Sequence, residues 1–139
     1  MDFAEIKEKV KALNLPDGKY ALFGSVPLAA HGIRESNDID ILVAPDVYAR
    51  LKGTPGWEAK VKPNGNAYLG KGDIEVFEDW QKIGSYIPNP KRLIEEADMI
   101  EGMPVITLKD IVEWKKAFGR EKDLEDVRLV EEFLAGRAK

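Results

Sequence analysis

The chain has 139 residues, 33% of them charged and 44% hydrophobic, with a formal net charge of −4. That composition fits one globular domain over residues 1–139, and the acidic balance argues against a general duplex-binding protein. With no cysteine and a single histidine, a disulfide framework, a thiolate nucleophile, Cys-ligated zinc and a His-rich metal site are excluded, so any metal must bind through oxygen.

Phe3, Ile6, Val10 and Leu13 recur at helical spacing behind Asp2, a suitable N-cap, and predict an amphipathic helix ending before Pro16-Asp17-Gly18. Lys19 to Phe23 reads as a core strand. Gly24-Ser25 then turns into a short helix, Val26 to His31, with Ser25 as its cap and His31 at its end. Asp38 to Val43 is a second core strand, followed by a helix from Pro45-Asp46 to near Gly53. Asn64-Gly65 and Gly70-Lys71-Gly72 are turn signals, which predict a meander of Trp57 to Lys62, Asn66 to Leu69 and Asp73 to Phe77. Asn89-Pro90 opens a helix to about Ala97, and Glu101-Gly102 joins the short apolar pieces Met99-Ile100 and Val105-Ile106. Thr107 and Asp110 form a capping-box-like pair ahead of a helix whose buried stripe is Leu108, Ile111, Val112 and Phe118, with Gly119 ending it. Leu124, Val127, Val130 and Leu134 define a final helix that closes the domain. The expected fold is α+β, a mixed twisted sheet with helices against one face and two closing C-terminal helices. No apolar run is long enough to cross a bilayer and no basic-then-apolar leader pattern is present, so a cytoplasmic protein without a membrane partner is expected.

The chemistry concentrates in three places. In Asn37-Asp38-Ile39-Asp40-Ile41, strand alternation sends Asp38 and Asp40 to one face and the isoleucines to the other. Two carboxylates so placed can hold a divalent cation. Gly24-Ser25 lets backbone approach an anion, and Gly72-Asp73-Ile74-Glu75-Val76 supplies a third acid, Glu75, with Asp73 in reserve on the same face.

Gly24-Ser25, Asp38-Ile39-Asp40 and Ile74-Glu75-Val76, in that order, resemble the active-site pattern of the DNA polymerase beta-like nucleotidyltransferase superfamily, including its small minimal and abortive-infection toxin-like members. The segment from Thr107 to Lys115, with Arg120, Lys122, Asp123 and Asp126, is similar to the C-terminal part of many small members, so the resemblance spans about residues 20 to 130. It implies a nucleotidyltransferase fold and a Mg²⁺- or Mn²⁺-dependent enzyme that transfers a nucleoside monophosphate, AMP from ATP first, to a hydroxyl of a small molecule, a tRNA or a protein. It further implies that Asp38, Asp40 and Glu75 hold the metal. Gly24, Ser25, Arg34 and Lys115 would face the triphosphate, with Arg34 alternatively pairing with Glu35 or Asp38. Arg120, Lys122, Asp123 and Asp126 are expected to form a structural ion network, and Trp57, Trp80 and Trp114 to pack in the core or a lid. The competing reading is a catalytically silent nucleotide-binding or partner-binding module of the same fold, or the toxin of a toxin–antitoxin pair with a protein partner.

Overall fold

A computed structural model describes residues 1–80 and 82–137. Its elements in chain order are α1 (Phe3–Lys11), β1 (Tyr20–Phe23), α2 (Val26–Ala30), β2 (Ile39–Val43), α3 (Pro45–Lys52), β3 (Glu58–Val61), β4 (Ala67–Lys71), β5 (Ile74–Phe77), α4 (Pro90–Glu95), β6 (Asp98–Ile100), β7 (Met103–Val105), α5 (Leu108–Phe118) and α6 (Glu121–Arg137). Among the described residues the seven strands form one mixed sheet in the order β3-β4-β5-β2-β1-β7-β6. The chain is therefore α+β, with two helices closing it. No helix among those residues is long and apolar enough to cross a membrane.

Local sequence chemistry sets most boundaries. Asp2 accepts a hydrogen bond from the Glu5 amide and starts α1, whose Phe3, Ile6 and Val10 are buried. Asn89 and Thr107 cap α4 and α5 in the same way, through the amides of Arg92 and Asp110. The turns at Lys62 to Asn66 and around Gly72 deliver the expected meander, and β5 returns beside β2 in parallel register. The two apolar pieces around Glu101-Gly102 pair as the hairpin of β6 and β7.

One expectation needs correction. Helices cover both faces of the sheet rather than one. Tyr20, Leu22, Ile39, Ile41, Val43, Ile74 and Val76 pack with α1, α2 and α3 on the first face, whereas Ala21, Phe23, Leu42 and Phe77 pack with residues of α4, α5 and α6 on the second. The reason is visible in β1: all four of its residues are apolar and buried, as a central strand covered on both sides requires. The final helix, α6, forms as expected, but not all of its apolar residues are buried. Leu124 and Leu134 are 51% and 42% exposed, and the buried face is Asp123, Asp126, Val127 and Val130. That face keeps helical spacing but is half acidic, because cations from α5 and the loop before β2 lie against it.

Candidate active site

Alternation puts Asp40 on the second face of the sheet with Leu42, and Glu75 there with Phe77. Apolar residues cover the middle of this face, and carboxylates take over at the strand end where α5 and α6 leave a cleft of about 520 Å³. Asp40 pairs with Glu75 across the parallel β2/β5 ladder and with Phe23 across the antiparallel β1/β2 ladder. This register brings Asp38, Asp40 and Glu75 together, one carboxylate oxygen of each lying within 4.8 Å of the others.

Gly24 closes the end of β1 at φ +69°, a conformation that side chains disfavour. A Cβ there would overlap Oδ2 of Asp40, so the glycine opens the space the carboxylate fills. Asp40 Oδ1 is buried without a hydrogen-bond partner among the described residues. Burial, reinforced by the charges of Asp38 and Glu75, pushes the Asp40 carboxyl well above the usual range, and Lys62 offsets part of this. An orphaned buried carboxylate oxygen facing two further acids fits a divalent cation held through oxygen ligands.

Ser25 heads α2 but makes no side-chain cap; its Oγ instead accepts a hydrogen bond from Arg34 at 2.8 Å. Arg34 forms a two-pronged pair with Asp126, Nε to Oδ1 and Nη2 to Oδ2, both at 2.8 Å. Its acidic partner is thus on α6, neither Asp38 nor the Glu35 carboxylate. It reaches Glu35 only at the backbone carbonyl. Lys115 lines the cleft from α5, yet it is only 4% exposed and its ammonium lies 3.0 Å from Asp126 and 3.9 Å from Asp123. Arg120 completes the cluster on Asp123 at 2.6 Å. Of the expected ion network, Arg120, Asp123 and Asp126 are joined, with Arg34 and Lys115 in place of Lys122, for which no ion pair is found among the described residues; the network ties α6 to the turn carrying Ser25. Lys122 lines the cleft as well.

Asp73, the reserve third acid, reaches Lys9 of α1 at 2.6 Å instead of joining the triad. It precedes β5, next to the turn at Gly72, so strand alternation does not carry over to it. His31 caps the C-terminal end of α2, packs edge-on against Phe133 and is not among the cleft residues. Trp80 and Trp114 pack with Phe23 beneath the cleft, whereas Trp57 packs against the other core.

The residue that sequence reasoning missed is Lys62. It lies just beyond β3, and its ammonium donates to both oxygens of Glu75, at 2.8 and 3.1 Å, while sitting 4.6 Å from the centre of the Tyr68 ring. Burial alone would lower its pKa, but the Glu75 contact outweighs that and holds it above the ordinary lysine value. The only sequence signal was its place at the mouth of the Pro63-Asn64-Gly65 turn, one strand pair away from β5.

The charges of the cleft are segregated. Asp38, Asp40 and Glu75 gather at one end with Lys62, while Asp123 and Asp126 gather at the other with Arg34, Lys115 and Arg120. Phe77, Trp80, Trp114 and Phe118 lie among them and supply an apolar lining. No protein-family model matches this chain, and neither curated proteins nor solved structures gave a significant match.

Proposed function

We propose that this protein is a divalent-metal-dependent nucleotidyltransferase that moves a nucleoside monophosphate, AMP from ATP in the first instance, onto an acceptor hydroxyl. This is the activity expected from its resemblance to the polymerase beta-like superfamily. The observation that carries the reading is the β2/β5 register, which joins Asp38 and Asp40 to Glu75 in one cleft beside the Gly24-Ser25 turn.

In this reaction the acceptor oxygen forms a bond to the α-phosphorus as the bond to the bridging oxygen breaks, and pyrophosphate carries away the electron pair. Asp38, Asp40 and Glu75 would hold the metal, Mg²⁺ or Mn²⁺, which supplies charge neutralisation at the attacking and departing oxygens. Glu75 would also take the proton from the acceptor hydroxyl. Gly24 keeps backbone and Asp40 close together, and Ser25, oriented by Arg34, offers a hydroxyl to the phosphate chain. Arg34 and Lys115 give the far wall positive charge, although the carboxylates of Asp123 and Asp126 hold them in place and temper that charge. The aromatic lining gives a planar base an apolar surface.

The test is to incubate the protein with each α-labelled nucleoside triphosphate, Mg²⁺ and a cell extract, then to fractionate RNA, protein and small molecules. Label leaving the nucleotide for one of these fractions, with pyrophosphate released, supports the reading and identifies the acceptor class. Label distribution identical to that of an Asp38→Asn/Asp40→Asn control opposes it.

A further inference from the structure

Lys62 is a cation built into the acid end of the cleft, and the reaction described above assigns it no role. It is anchored rather than trailing: its amide donates to the Asn66 carbonyl at 2.8 Å, which fixes the base of the hairpin. Its ammonium bridges both oxygens of Glu75, so any ion that takes Glu75 as a ligand must compete with it. The side chain is 36% exposed, which leaves it room to move, and the Tyr68 ring face lies against the same ammonium while it holds Glu75.

Charge counting gives this competition a consequence. Ionised around a bound cation, the three carboxylates of the acid end carry three negative charges, and Lys62 returns one positive charge. The remaining surplus of two equals the charge of one divalent cation. A second such ion would leave the acid end at about +2 with the ammonium in place and about +1 without it, so it needs an accompanying anion as well as the departure of the ammonium.

We infer that Lys62 is a positioning residue that occupies one of two cation places at the acid end. The nucleotide-free protein then takes up a single divalent ion, on Asp38 and Asp40. Glu75 becomes free for metal only when the Lys62 ammonium transfers to a phosphate oxygen of the incoming triphosphate. The inference rests on the nucleotidyltransferase reading, because it takes the acid triad as the metal site.

The experiment is a Mn²⁺ titration of the nucleotide-free full chain, with free Mn²⁺ read by electron paramagnetic resonance. Wild type should bind one ion. Lys62→Met should bind its ion about tenfold or more tightly, since one unit charge a few ångströms away is worth at least that factor. Lys62→Arg should keep the wild-type pattern, and a non-hydrolysable triphosphate should raise wild type to two ions. Should the apolar tip of Lys62→Met unfold the hairpin, Lys62→Gln keeps a polar tip on a slightly shorter side chain and repeats the comparison. Unchanged stoichiometry and affinity in a folded Lys62 variant, or two ions on nucleotide-free wild type, would overturn this role while leaving the enzyme reading intact. Binding that is absent in wild type, or that survives unchanged in Asp38→Asn/Asp40→Asn, would overturn both.

Discussion

Gly24 and Asp40 lie so close across the β1/β2 edge that any side chain on the glycine would overlap the carboxylate. Gly24→Ala should therefore suffer both the cost of positive φ, about 1–2 kcal/mol, and the displacement of Asp40. Gly72 is the control: its φ is +61° but nothing lies within 4 Å of its would-be Cβ. Denaturant unfolding should show Gly24→Ala as the more destabilised of the two, and Mn²⁺ affinity should fall in Gly24→Ala alone. Equal losses in stability would mean that the overlap relaxes freely.

The acid cluster makes opposite predictions with and without metal. In chelator, Asp40→Asn should match or exceed wild-type stability, because it removes a buried charge repelled by Asp38 and Glu75. In Mg²⁺ or Mn²⁺ wild type should gain stability, by about 2.7 kcal/mol at a hundredfold excess over Kd, and the Asp38→Asn/Asp40→Asn variant should lose that gain. Thermal melts in the two buffers check both signs.

Glu75→Gln nearly preserves size while removing charge, so fold and much of the nucleotide affinity should survive as transfer falls at least about 10²-fold. Asp73→Asn should do far less, since its carboxylate is engaged with Lys9. Single-turnover assays with the labelled triphosphate separate the two. Normal transfer by Glu75→Gln beside a dead Asp73→Asn would put the third acid one strand repeat earlier.

The site was legible wherever strand geometry governs. Alternation within β2 and β5 and the turn at Gly72 were enough to place Asp40 and Glu75 on one face, because a parallel register between two short central strands leaves few alternatives, and Asp38, just before β2, joins them. What escaped was set by contacts distant in sequence. Lys62 meets Glu75 only because β4 lies between their strands, and Arg34 meets Asp126 across 92 positions. The final helix was legible from Leu124, Val127, Val130 and Leu134, but its buried face was not, since Asp123 and Asp126 share that face to meet Arg34, Lys115 and Arg120. Apolar periodicity cannot register a helix face that is buried by ion pairing.

Asp126 gives that network a pH signature. Burial acts to raise its pKa, but hydrogen bonds from Arg34 and Lys115 and their charges outweigh it and hold the carboxyl below the usual range. A carboxylate depressed in the folded state contributes stability that is complete above the unfolded value, about 3.9, and is lost as pH falls through the folded one. Wild type should therefore lose stability on acidification below about pH 4 more steeply than Asp126→Asn, although the variant should be less stable near neutrality. Parallel slopes in urea melts between neutral and acid pH would remove Asp126 from the account.

Lys115 is the sharpest test of whether a cleft-lining cation is structural. Its ammonium is buried between Asp126 and Asp123, so Lys115→Ala should cost roughly 3 kcal/mol or more, as breaking a buried pair does. If it also reaches the triphosphate, the variant should weaken triphosphate binding more than monophosphate binding. Equal effects on both ligands in calorimetry would confine it to holding α6.

The central claim, that Asp38, Asp40 and Glu75 hold metal against a triphosphate, is tested most directly by anomalous diffraction from crystals grown with Mn²⁺ and a non-hydrolysable nucleoside triphosphate. The account predicts an anomalous peak ligated by Asp38 and Asp40, with Glu75 and an α-phosphate oxygen completing the site and the phosphate chain running toward Gly24-Ser25. Manganese and triphosphate bound elsewhere, with Glu75 still paired to Lys62 and no density between the three carboxylates, would contradict it.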